Sequence, residues 1–224
     1  MKQVRPLNFE VLPEVDGMDI FIRLDLDVEQ TLSTNNNLLE TNERARAALM
    51  FFCQQIGDAE PWKNSAYLRA GLNEFYSIED AAQRDWKRSG NIGIPPRIRE
   101  SSNPLVHLMY LLRNVNVHAQ ISNTRVEKTA LISKMGGVER ELDHDAVILD
   151  QPTLQQLLRA SEAKTYYNMS DLEKATSWLD ATQKIFGAGE VFRRGLSAYC
   201  REILLAANGS AQQGAPADAA LPRA

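Results

Sequence analysis

Cysteine, histidine, long apolar runs and net positive charge are all scarce in this chain, and each scarcity excludes something. Two cysteines, Cys53 and Cys200, stand far apart among 224 residues, which leaves no disulfide framework and no cysteine-built zinc site. No stretch approaches the ~20 apolar residues that cross a bilayer, and the opening MKQVRPLNFE lacks the apolar segment of a secretory signal. A reduced, cytoplasmic chain without a membrane segment is expected. Lys and Arg total 25 against 29 Asp and Glu, a net charge of −4, whereas an extended nucleic-acid coat protein is normally basic.

What is present fits one sizeable globular domain, 44% hydrophobic and 24% charged, long enough to bury its own core. The charge is uneven. Between Arg84 and Lys128 stand eight basic residues (Arg84, Lys87, Arg88, Arg97, Arg99, Arg113, Arg125, Lys128) and three acidic ones (Asp85, Glu100, Glu127). That local balance of +5 leaves −9 for the remainder, and a basic island in an acidic chain points to a local anion site.

Periodicity sorts the elements. Ile20, Ile22, Leu24, Leu26 and Val28 alternate with polar or charged neighbours for the most part, the period-2 signature of a half-buried strand whose aspartates face water. A helix is expected over about 43–56. Over 66–86, Leu68, Leu72, Phe75, Ala82 and Trp86 recur at helical spacing, with Arg69, Asn73, Glu79, Asp80 and Arg84 opposite. A Gly/Pro-punctuated loop follows, with no phosphate-loop pattern. Ser102 or Asn103 then caps a helix with Pro104 in its first turn, where a missing N–H costs nothing. Its buried stripe is Leu108, Leu112, Val115 and Ala119, and an adjoining stripe holds His107, Leu111, Asn114 and His118.

TRVEKTALIS and AVILD read as two strands joined by a loop containing Asp143, His144 and Asp145. Those three are metal-capable residue types, but adjacent side chains point apart and no second ligand cluster accompanies them. Ser170 and Glu173 make a capping box for a helix over 171–185, a last helix spans 190–207, and a low-complexity tail from Gly209 is expected to be disordered.

The segment LLRNVNVHAQ carries the chemistry. Arg113, Asn114 and His118 combine a guanidinium, which can make paired hydrogen bonds to phosphate, with an imidazole that titrates near neutrality. RNVNVH resembles the Arg–polar–x3–His motif of HEPN domains, and AYLRAGLNEFYSIEDAAQRDW followed by SSNPLVHLMYLLRN is similar to the helices that precede it in that family. The resemblance covers about 43–120 and extends to the two C-terminal helices.

It implies a mainly α, HEPN-like antiparallel helical bundle over 41–208, with a β-hairpin insertion near 124–150. Residues 1–40 form a β-containing extension, 209–224 a disordered tail, and the N-terminal strand and hairpin are additions to the bundle. It also implies metal-independent RNA cleavage without a cofactor. A ribose 2′-OH attacks and leaves a 2′,3′-cyclic phosphate, with Arg113 on the scissile phosphate, Asn114 orienting the site and His118 catalytic. Arg97, Arg99 and His107 are the accompanying candidates for RNA binding.

Five residues at ~100° each put Arg113 and His118 about 140° apart on one helix. A homodimer packed around the 103–120 helix, with a shared cleft as in HEPN nucleases, supplies the missing group. Membership of a toxin or phage-defence system would add an antitoxin protein as partner. Some toxin members carry a tyrosine two residues after the histidine, modified by a partner nucleotidyltransferase; this chain has Gln120 there. The alternative is a non-catalytic HEPN-like module that binds nucleotides or a protein partner as a dimer.

Overall fold

The computed structural model describes residues 4–5, 7–12, 26–54, 61–91, 93–118, 123–135 and 138–213. These residues are mainly helical, with one small two-stranded antiparallel sheet. The helices are α1 (Leu26–Thr34), α2 (Leu39–Cys53), α3 (Pro61–Ser89), α4 (Pro104–His118), α5 (Gln151–Arg159), α6 (Ser161–Tyr166), α7 (Met169–Phe186) and α8 (Ala188–Gln213). Strands β1 (Thr124–Met135) and β2 (Val138–Leu149) form a hairpin between α4 and α5. No helix among the described residues is long and apolar enough to cross a membrane.

Helix α4 lies at the centre, packed against α3, α5, α7 and α8. All eight residues from Leu105 to Leu112 are buried, His107 and Tyr110 included, and a helix enclosed on every side is expected to be apolar all round. Its start is fixed locally: Asn103 Oδ1 accepts from the Leu105 N–H at 2.9 Å, the capping geometry expected from the sequence. Gly195 of α8 permits the close crossing, because a Cβ there would overlap Met109 Sδ and lie 3.0 Å from Leu105 Cγ. The stripe of α3 inferred from periodicity (Leu68, Leu72, Phe75, Ala82, Trp86) is buried throughout.

Helix α2 takes its N-terminal cap from another helix. Leu38 offers no side-chain cap; instead the buried carboxylate of Asp85 on α3 accepts from the Thr41 N–H at 2.9 Å and the Thr41 hydroxyl at 2.8 Å. This satisfies donors that the helix cannot satisfy itself and places negative charge at its positive end. Between α7 and α8, Gly187 sits at φ +84°, where a side chain would be strained. The hairpin is anchored at its base. Gln183 of α7 accepts from Leu149 N at 2.9 Å and donates to Leu149 O at 3.2 Å, while Ser65 of α3 accepts from Thr124 N at 3.1 Å.

Several boundaries differ from the sequence reading. The N-terminal strand is not supported where it is visible: Leu26–Thr34 is helical, with Val28 and Leu32 buried one turn apart and α1 packed on α8. Residues 20–25 of that segment lie outside the described residues. The hairpin runs through what reads as a loop, so positions 143, 144 and 145 are consecutive on β2, with Asp143 and Asp145 exposed. Helix α7 is capped by Asn168, whose Oδ1 accepts from Ser170 N at 3.1 Å, not by a Ser170–Glu173 box. Helix α8 continues past Gly209 to Gln213; residues 214–224 lie outside the described residues.

Candidate functional site

Arg113 and Asn114, half-buried neighbours toward the end of α4, open onto a cleft of about 630 Å³. The opposite wall comes from α5 and α6, through Gln156, Arg159 and Glu162; Tyr76 of α3, Tyr110 and Arg99 close the remainder. The lining thus carries three arginines against one carboxylate. Such a cleft attracts anions, and its walls keep the guanidinium charges less screened than on an open surface.

The Arg113 guanidinium lies 4.2 Å from the Tyr76 ring centroid, and Tyr76 stacks on Tyr110 with centroids 6.0 Å apart. Stacking of this kind holds the planar guanidinium while leaving its edge available. Nη1 donates to Asn114 Oδ1 at 3.2 Å, whereas the buried Nε has no hydrogen-bond partner among the described residues. No carboxylate among the described residues pairs with Arg113. An unmatched cation with an orphaned donor is costly in a protein interior unless an anion completes it. Gln156 Oε1, also on the cleft lining, is likewise buried without a hydrogen-bond partner among the described residues.

A hydrogen-bonded network spans the cleft wall. Glu162 Oε2 accepts from Asn114 Nδ2 at 2.7 Å, and Oε1 accepts from the Tyr110 hydroxyl at 2.6 Å. Arg99 Nε donates to the Tyr110 oxygen at 2.8 Å. Arg5 and Arg99 place nitrogens 3.8 and 3.9 Å from Glu162 Oε1. Burial, together with the adjacent Glu162 carboxylate, pushes the Tyr110 phenol up, so it remains a proton donor at neutral pH.

His107, an expected RNA-binding residue, sits in the core in this arrangement. His107 is 0% exposed, with Nε2 2.5 Å from Ser101 O and Nδ1 2.6 Å from the Tyr167 hydroxyl. Because the carbonyl can only accept, Nε2 carries the proton and Nδ1 accepts from Tyr167, whose oxygen in turn accepts from Arg5 at 2.9 Å. Burial lowers its pKa from 6.5 to about 4, so it is a neutral core residue. Leu111 is equally enclosed. The stripe of His107 and Leu111 expected at a dimer interface is therefore spent inside the protomer.

The basic island also divides. Arg99 and Arg113 reach the cleft; Arg97 is exposed but does not line it. Arg84 and Arg88 pair with Glu40, and Arg125 with Glu127. Arg159, from outside the island, supplies the third cleft arginine, and no ion pair neutralises it among the described residues.

His118 closes α4; its side chain lies outside the described residues, as does Gln120. Since α4 is continuous to His118, the ~140° separation from Arg113 stands. Position 118 falls on the same stripe as Leu111 and Asn114, one turn beyond Asn114. Among the described residues no three His, Cys, Asp or Glu side chains converge as a metal site. No protein-family model, curated protein or solved structure matches the chain.

Proposed function

We propose that the cleft binds an RNA phosphodiester and that the chain is a HEPN-like, metal-independent endoribonuclease. The observation that carries this reading is Arg113: a stacked guanidinium, unmatched by any described carboxylate, with a buried orphan N–H, beside Arg99 and Arg159 in one cleft. A phosphate oxygen is the partner such a donor lacks. In the reaction, a ribose 2′-OH attacks the adjacent phosphorus and the P–O5′ bond breaks, leaving a 2′,3′-cyclic phosphate and a 5′-hydroxyl. Arg113 stabilises the charge that gathers on the phosphoryl oxygens, and His118 is assigned the proton transfer. Two copies of the chain, meeting at the C-terminal end of α4, would place Arg113 of one opposite His118 of the other.

The test is incubation of the purified protein with labelled RNA in EDTA, beside Arg113→Ala. Cleavage that survives chelation, yields cyclic phosphate ends and falls at least about a hundredfold in the variant supports the reading. Absence of cleavage, or equal cleavage by the variant, refutes it. A second reading, a binding module without turnover, draws on the commitment of Asn114 to Glu162; it predicts Arg113-dependent RNA binding with no product.

A further inference from the structure

Glu162 poses a chemical puzzle: a lone carboxylate on the lining of a cleft otherwise furnished for anions. It stands on the short helix α6, 48 positions from Asn114, and its side chain is 21% exposed. Electrostatically it opposes a phosphate, so its presence needs another reason.

That reason lies in hydrogen-bond polarity. An ionised carboxylate only accepts. Glu162 Oε2 therefore obliges the Asn114 amide to present Nδ2 to it, which turns Oδ1 toward Arg113, where Nη1 donates at 3.2 Å. The reverse amide orientation would set two donors against each other at Arg113. Oε1 takes the Tyr110 hydroxyl, whose oxygen receives Arg99 Nε. Both oxygens thus govern a cleft arginine through one intermediary.

We propose that Glu162 is the positioning residue of this site, setting the Asn114 amide and through it the Arg113 guanidinium in the orientation that receives the scissile phosphate. The inference rests on the ribonuclease reading for its kinetic consequence, but not for its geometry.

Glu162→Gln separates the two effects of the carboxylate. It removes a negative charge, so an RNA oligonucleotide binds about two- to fivefold more tightly. It also places an amide where two acceptors are required, so Asn114 or Tyr110 loses its partner and kcat falls about ten- to a hundredfold. Glu162→Asp keeps the charge but shortens the reach, and lowers kcat without the gain in affinity. The double variant Asn114→Asp with Glu162→Gln reverses the bond. The amide introduced on α6 would donate to the carboxylate introduced on α4, that carboxylate would still accept from Arg113, and the net charge would return. The Arg113 guanidinium should regain its fixed orientation, the coupling expected of directly bonded groups, while kcat stays low because a carboxylate now pairs with it.

The readout independent of catalysis is NMR of arginine-labelled protein. The Arg113 Nη–H resonances, assigned by their loss in Arg113→Ala, should exchange faster in Glu162→Gln and return toward wild type in the double variant. If wild type cleaves no RNA, the ribonuclease reading falls, and positioning is judged on the NMR result and on RNA affinity. Equal loss of kcat and affinity in Glu162→Gln, unchanged Arg113 exchange in that variant, or no return of that exchange in the double variant each overturns the proposal.

Discussion

Replacing His107 by Gln should flatten the acid side of the stability profile. His107 is fully enclosed, and burial holds its folded pKa at about 4 against 6.5 for a free imidazole. Between those values the unfolded chain binds a proton at this position that the folded chain refuses. The free energy of unfolding therefore falls as pH is lowered through the window. The contribution is fully present above 6.5 and gone below about 4, where both states are protonated. The gap between 6.5 and about 4 corresponds to roughly 3 kcal/mol. Carboxylates such as Glu40, whose pKa is lowered chiefly by its bond to Arg84, add acid sensitivity of their own, so the difference between the two proteins is the diagnostic quantity. Urea unfolding at pH 7, 6, 5 and 4 measures it. His107→Gln is less stable than wild type at pH 7, because Ser101 O and the Tyr167 hydroxyl lose well-placed partners, and the deficit narrows toward pH 4. A constant deficit, or a His107 imidazole that titrates near 6.5 in the folded protein by NMR, would show that the ring is not buried neutral.

Four other substitutions probe the packing and the assembly. Asp85→Ala strands the Thr41 N–H and hydroxyl at the start of α2, and should cost about 2–4 kcal/mol by calorimetry; a loss below about 0.5 kcal/mol refutes the inter-helix cap. Gly195→Ala drives a Cβ into Met109 and Leu105 at the α4–α8 crossing, and should destabilise by about 1–3 kcal/mol in urea titrations, with an unchanged midpoint counting against that close approach. Arg113→Ala and His118→Ala, each inactive alone, should regain RNA cleavage when unfolded together and refolded as mixed dimers, to about a quarter of wild type if chains pair at random; no recovery in proven heterodimers removes the shared cleft.

Helices α3 and α4 are legible because each repeats a strong local signal: apolar residues at helical spacing in one, an Asn-Pro start in the other. Where local signals conflict, tertiary contacts decide. The alternation ending at Val28 favours a strand, yet Val28 and Leu32, one turn apart, both bury, and docking on α8 settles the segment as helix. The distal hairpin, VERELDHD, is rich in charge and lacks the apolar alternation that marks a half-buried strand; its pairing with β1 is a property of two segments and not of either. Half of the candidate site is hidden for the same reason. Arg113 and Asn114 announce themselves by chemistry and adjacency, but Gln156, Arg159 and Glu162 are ordinary polar residues on short helices. One signal was available: Asp150, Pro152 and Thr153 mark a helix start, and a polar helix entered there must face something.

The treatment of charge elsewhere in the molecule makes the cleft distinctive. Arg193 is as enclosed as a core residue, and Glu190 meets it with two hydrogen bonds of 2.7 and 2.9 Å. Asp85, likewise buried, is met by Thr41 and by Arg88. These buried charges thus have matched partners, as the desolvation penalty requires, although Arg69 Nη1 is a buried donor with no hydrogen-bond partner among the described residues. Arg113, on the cleft, likewise lacks a matched partner. It rests on an aromatic face and an amide oxygen, neither of which carries a compensating charge, although Glu162 lies one residue's reach away and bonds Asn114 instead. A fold that needed only stability would close a direct Arg113–Glu162 pair. Interposing Asn114 keeps the guanidinium oriented while leaving its charge unspent, and that combination is what an incoming phosphate requires.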